Sequence, residues 1–275
     1  MKWGTVNLIS PWLHYLWLLP IGVVIGLAGT VIGAGGGFIL LPLLLIFYPR
    51  ESPEILTSIS LAVVFFNAAS GSAAYSRMRR IDYRSGLIFA AAAIPGAILG
   101  ALTTYYIPRR WFDLILGLFM MAAAAYLFWH PERPEHAPAD SSEKIPGPSR
   151  SGIYVRGALI SVAVGYLSSL LGVGGGFIHV PALVRLLRFP VHIATATSHF
   201  ILAIMALTGT IVHIATGAFA HGYHRTIILA AGVILGAQAG AWLSNHLQGR
   251  WIIRGLAAAL VFVGIRVLVQ AMRIS

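Results

Sequence analysis

One block occurs twice in the sequence, Gly33-Ala34-Gly35-Gly36-Gly37-Phe38 and Gly172-Val173-Gly174-Gly175-Gly176-Phe177, and each copy is followed by a proline at the same distance, Pro42 and Pro181. Each copy lies inside a long apolar run. Consecutive glycines interrupt a helix and leave main-chain N–H groups unpaired, which a bilayer tolerates only where that backbone faces protein or a wet cavity. The block therefore predicts an internally duplicated membrane protein in which each half opens with a broken or re-entrant helix.

Segment lengths point the same way. From Trp12 to Tyr48 there is no Asp, Glu, Lys or Arg. A helix of that length would run about 55 Å at 1.5 Å per residue, whereas one crossing needs only about 20 residues. Its counterpart runs from about Gly157 to Val184. Three further apolar segments follow in each half: about Ile55–Tyr75, Leu87–Tyr106 and Phe112–Trp129, then Ile193–Ala218, Ile227–Leu247 and Trp251–Met272. Between the halves, residues 130–152 carry seven charged residues and five prolines. Nothing in that stretch buries enough apolar area to order it, so it reads as a polar linker. The predicted organisation is 1–129 as first transmembrane repeat, 130–152 as linker and 153–275 as second repeat, in an all-α polytopic helix bundle.

The registers of the halves agree over most of their length. Thr57 and Ser60 meet Thr195 and Ser198, Gly71 meets Gly209, Gly96 and Gly100 meet Gly236 and Gly240, and Arg110-Trp111 meets Arg250-Trp251. Glycines at four-residue spacing suit close helix contacts in lipid, where dispersion replaces the hydrophobic effect. Whether the repeats are parallel or inverted depends on how many times each broken segment crosses, and the loop charges leave this open.

Of 275 residues, 58% are hydrophobic and 10% charged, with mean hydropathy +0.82. This excludes an ordinary soluble domain. The net charge of +11 falls mainly between apolar segments, where it anchors loops to headgroups, so nucleic acid is not an expected partner. The basic run Arg77, Arg79, Arg80 and Arg84 is expected on the cytoplasmic side. The N-terminal apolar stretch is far longer than a signal h-region and reads as retained. The absence of cysteine removes disulfides, thiolate nucleophiles and cysteine metal sites.

Two G-x-G-G-G-F blocks, each followed by proline, in two four-segment halves resemble the sulfite exporter TauE/SafE family of membrane permeases. The resemblance covers nearly the whole chain apart from the linker. It implies a secondary transporter of small sulfur-containing anions, such as sulfite, sulfonate or sulfoacetate, in the bacterial inner membrane. His179 in the second block has Leu40 as its counterpart, so the two copies need not be equivalent.

The candidate anion site is the backbone of Gly35, Gly36, Gly37, Gly174, Gly175 and Gly176. Free N–H groups at the start of a half-helix offer positive potential without a full charge; the alternative is that these glycines only permit close helix crossing. Ser60, Asn67, Thr195, Ser198 and His199 are the candidate side-chain donors, with helix-to-helix hydrogen bonding as their alternative role. His199 and His213 are candidate proton carriers. Gln238 and Asn245 line a path or pair helices.

Neither a metal nor a cofactor is expected. All eight acids fall in loops or at segment ends, which argues against a carboxylate proton relay. A nucleotide reading fails because Phe38 and Phe177 replace the third glycine of a dinucleotide turn and no Gly-Lys-Ser/Thr follows. Other readings are a membrane enzyme acting on lipid or quinone through His221, His224 and Arg225 or His130, and a passive anion channel. A homodimer is compatible with the sequence, which does not fix the oligomeric state.

Overall fold

The computed structural model describes residues 15–129, 151–187, 189–244, 260–269 and 271–272. These residues are helical and, among them, no strand occurs. In order the helices are α1 (Leu18–Ile32), α2 (Gly37–Phe47), α3 (Pro53–Arg77), α4 (Tyr83–Thr104), α5 (Arg109–Trp129), α6 (Ser151–Leu171), α7 (Gly176–Leu187), α8 (Val191–Ala215), a 3-10 turn (Ala218–His221) and α9 (Tyr223–Leu243), then α10 (Leu260–Val269). Among the described residues, five stretches are long and apolar enough to cross a membrane: α3, α4, Tyr154–Leu171 of α6, α8 and α9. The expected linker lies outside the described residues except for 151 and 152, which begin α6. The expected segment Trp251–Met272 is described only from residue 260 onward.

The first broken segment is a hairpin. α1 and α2 have 15 and 11 residues, about 22 and 16 Å at 1.5 Å per residue, each short of a hydrocarbon core of about 30 Å. Trp17, just before α1, meets Phe47 at the end of α2 edge to face, with ring centroids 5.2 Å apart. The chain thus turns at the glycines and leaves by the end it entered. α6 and α7 fold back likewise, with Ser161 Oγ 3.2 Å from His179 Nε2 across the hairpin.

Each hairpin is packed by helices of the other half. Gly232, Gly236 and Gly240 of α9 run in register along α1, against Leu19 and Gly22, then Val23, then Leu27 and Thr30. Along α4, Gly96 meets Val162 and Gly100 meets Tyr166 of α6, and Thr104 Oγ1 donates to the Leu170 carbonyl at 2.9 Å. Both pairs run parallel. A Cβ on Gly96 or Gly236 would enter the carbonyl of Val162 or Val23, so the four-residue glycine spacing does bring backbones together here. α3 and α8 cross antiparallel: Tyr75 near the end of α3 meets His199 near the start of α8, and the backbone N of Asp82 donates to Thr197 Oγ1 at 3.0 Å.

At the end of the bundle where α2 leads into α3, two arginines hold the chain. Arg225 pairs with Glu51 at 2.7 Å and lies 4.3 Å over the Tyr48 ring. Arg109 pairs with Asp113 at 2.9 Å and donates to the carbonyls of Glu51 and Leu45 at 2.5 and 3.4 Å. Burial raises the Tyr48 hydroxyl above its usual range, with the Arg225 guanidinium opposing that rise. At the opposite end Arg77, Arg79, Arg80 and Arg84 stand beside Asp82, whose carboxylate is taken up by Arg84 N and Ser85 Oγ at the start of α4.

Candidate functional site

The first break is shaped by three glycines in left-handed conformation, Gly33 (φ 82°), Gly35 (φ 73°) and Gly36 (φ 77°), a region costly to residues with a Cβ. Ala34 N and Gly35 N both donate to the Gly29 carbonyl, at 2.9 and 3.1 Å, and Gly33 N donates to the Thr30 carbonyl. Among the described residues, the N–H groups of Gly36, Gly37 and Phe38, at the head of α2, have no acceptor. These are the orphan donors of a helix N-terminus, where the macrodipole is positive. In the second break Gly172 (φ 59°) and Gly174 (φ 81°) are left-handed, and the Gly175 carbonyl accepts from Ile178 N and His179 N.

The two breaks lie against each other. A Cβ on Gly174 would stand 2.9 Å from the Ala34 carbonyl oxygen, one on Gly37 2.7 Å from the Val173 carbonyl carbon, and one on Gly176 2.7 Å from Ala34 Cα. Val64 of α3 and Leu202 of α8, each near the middle of its helix, border Gly35 and Gly174 alike. Gly33 through Phe38 are all buried.

Ser60 and Ser198, expected as donors to a ligand, are committed to the breaks. Ser60 Oγ donates to the Gly172 carbonyl at 2.6 Å; Ser198 Oγ reaches the carbonyls of Gly33 and Gly176 at 3.2 and 3.3 Å. They supply partners to carbonyls that the end of α1 and of α6 leave over. The methyls of Thr57 and Thr195 occupy matching positions, beside Gly172 and Gly33 respectively. Register, serine and threonine thus recur at both breaks, each set reaching across to the other half.

Asn67 and His199 behave differently. Asn67 Oδ1 accepts from Thr30 Oγ1 at 3.1 Å, but among the described residues its Nδ2 has no partner, and neither has Nδ1 or Nε2 of His199. Both residues are fully buried. His213 is also buried with Nε2 unpartnered, but fourteen residues separate it from His199, about 21 Å along the helix, so the two do not form one site. Gln238 pairs helices, its Nε2 donating to the Ser70 carbonyl at 2.8 Å. Arg225 is taken up by Glu51. Asn245 and His130 lie outside the described residues. Among the described residues no group of three His, Asp or Glu could hold a metal ion.

Sequence reasoning missed Thr30, Tyr75 and the Glu51–Arg225 pair. In the sequence Tyr75 stands only at the end of an apolar segment, and the partners of Thr30 and Glu51 lie 37 and 174 residues away in the chain. The match of Gly71 with Gly209 was the available signal, since Gly71 lies between Thr30 and His199.

Comparison with known proteins places these features in a wider set. A family model described as sulfite exporter TauE/SafE matches residues 18–267. The probable membrane transporter protein YunE of Bacillus subtilis is 27% identical over 274 residues, covering 94% of this chain and 98% of that protein. The probable membrane transporter protein MJ0441 of Methanocaldococcus jannaschii is 22% identical over 92% of this chain and 96% of its own length. A probable membrane transporter protein of Xylella fastidiosa is 27% identical over 62% of each chain. No solved structure gives a significant match.

Proposed function

Because the chain belongs to the sulfite exporter TauE/SafE family, a family of membrane transporters rather than enzymes, we propose that it carries small sulfur-containing anions such as sulfite, sulfonate or sulfoacetate across the inner membrane by alternating access. The observation that carries this reading is the meeting of two glycine breaks at the middle of α3 and α8, with the N–H groups of Gly36, Gly37 and Phe38 unpaired. Partial charges of this kind hold an oxyanion and still release it.

We read the halves as inverted repeats, since α3 and α8 run antiparallel and each opens after a hairpin that returns to its own side. With the arginine-rich end of α3 in the cytoplasm, α1 and α2 enter from outside and α6 and α7 from inside. Access alternates as the helices bracing one hairpin shift against those bracing the other. Because the break residues are buried, such a shift is needed before an anion can reach them. No proton relay is required: an inside-negative potential of about 100 mV favours exit of a monovalent anion by about 2.3 kcal/mol.

Proteoliposomes loaded with sulfite or sulfoacetate test the reading by counterflow. Saturable exchange at carrier rates supports it. Intact protein that moves no sulfur oxyanion overturns it, and conductance far above carrier turnover identifies a channel instead. Gly175→Ala is the sharpest variant, since its Cβ meets mainly the side-chain ends of Val164 and Met205. It should fold and lose most transport; full transport would leave the glycines a packing role alone.

A further inference from the structure

On the first half only, the last turn of α1 faces a closed group of polar side chains. Tyr75 OH donates to the Thr30 carbonyl at 3.0 Å, and Thr30 Oγ1 donates to Asn67 Oδ1. The second bond takes up Oδ1 of Asn67 and leaves its NH2 turned away from Thr30. The His199 ring stands edge-on to Tyr75, centroids 5.6 Å apart, and against the bare backbone of Gly71. A Cβ there would lie 2.7 Å from His199 Cδ2 and 3.1 Å from Nε2. Among the described residues three buried polar atoms, Asn67 Nδ2 and both ring nitrogens of His199, are thus left unsatisfied around the same turn of α3. Such atoms are rare in native interiors, and an absent ligand is one of the few reasons for them.

The other half supplies the control. By the register that matches Thr57 with Thr195, the counterparts of Asn67 and His199 are Met205 and Leu61. The geometry is the same there: a Cβ on Gly209 would meet Leu61 Cδ1 at 2.8 Å and Ser169 Oγ at 3.0 Å, as one on Gly71 meets His199 and Thr30. Ser169 and His213 keep the ends of that cluster polar, with Ser169 Oγ and His213 Nε2 also unpartnered among the described residues, but Leu61 and Met205 fill its middle and are fully buried. Packing alone is therefore satisfied by Leu and Met at these positions, and burying Asn and His instead costs free energy unless something pairs with them.

We infer that Asn67 and His199 together hold one oxyanion against the last turn of α1, in a cluster completed by Thr30, Gly71 and Tyr75, and that the second half has no equivalent site. The inference rests on the transporter reading above and narrows it from two symmetric breaks to one anion per chain. Asn67 offers an amide N–H and His199 an imidazole N–H, neutral donors suited to an anion that must leave again. Tyr75 and Thr30 are positioning residues.

The test is titration of the purified full chain with sulfite and, separately, sulfoacetate, in detergent, by calorimetry. Binding should saturate at one anion per chain. Asn67→Met and His199→Leu, which install the side chains of the other half, should each weaken it at least tenfold, while Met205→Leu leaves it within twofold. Saturation at two anions per chain overturns the inference, as does unchanged affinity in Asn67→Met or His199→Leu protein that melts like the wild type. If those variants fail to fold, Tyr75→Phe decides: a weakening of threefold or more at unchanged melting temperature supports the cluster, and wild-type affinity overturns it. A wild-type chain that binds neither probe overturns the sulfur-anion reading together with this one, whereas binding that ignores the cluster overturns this one alone.

Discussion

Gly36 and Gly37 stand side by side yet fail differently when given a side chain. Gly36 has φ 77°, so Gly36→Ala forces a left-handed alanine at about 1–2 kcal/mol and sets its Cβ 2.9 Å from the Ile25 carbonyl oxygen. Gly37 is an ordinary helical residue, but its Cβ would press on the Val173 carbonyl of the opposite break. Gly37→Ala should therefore separate the two breaks and lower both melting temperature and transport, as Gly176→Ala should through Gly33. A thermal melt and a counterflow assay on the same preparations check this. At the outer pin, Arg225→Met leaves Glu51, 30% exposed, without its partner. The loss is expected at about 1–3 kcal/mol, below the cost of breaking a fully buried pair because water reaches the carboxylate, and is read from the melt. The glycine breaks were legible in the sequence because three consecutive glycines recur at both positions of an apolar run. The partnership of Asn67 with Thr30 was not, since it joins residues that only the fold brings together.

At the scale of elements, the re-entrant course of α1 and α2 rests on Trp17 meeting Phe47. The chain has no cysteine, so labelling with introduced cysteines is direct. Arg50→Cys and Ala220→Cys should label from one side of the membrane and Ser76→Cys from the other, all three positions being exposed. Position 50 labelling from the side of Ser76 would mean that the broken segment crosses. A sequence shows that 37 uncharged residues are too many for one span, but it does not show the direction taken after the break. Leu, Ile and Val on both sides of the glycines are equally at home going on or coming back. Gly96→Leu and Gly236→Leu should destabilise alike, because each wedges apart a helix pair in backbone contact.

For the molecule as a whole, the segment order and the four-residue glycine spacing were readable, because each follows from the need to hide backbone from lipid. Which helix packs on which hairpin was not, for the pairing of α1 with α9 and of α4 with α6 exchanges partners between halves. That exchange has a consequence for synthesis. When residues 1–129 have left the ribosome, α1 still lacks α9, and the break at 33–37 lacks Val173, Val180, Thr195, Ser198 and Leu202, which border it. The nascent first half must wait, its hairpin unsheltered, until α9 is made more than a hundred residues later. Expressed alone, either half should be degraded by membrane proteases, and the two expressed together as separate chains should protect each other. The first hairpin is sheltered only once α9 has been made and has joined it.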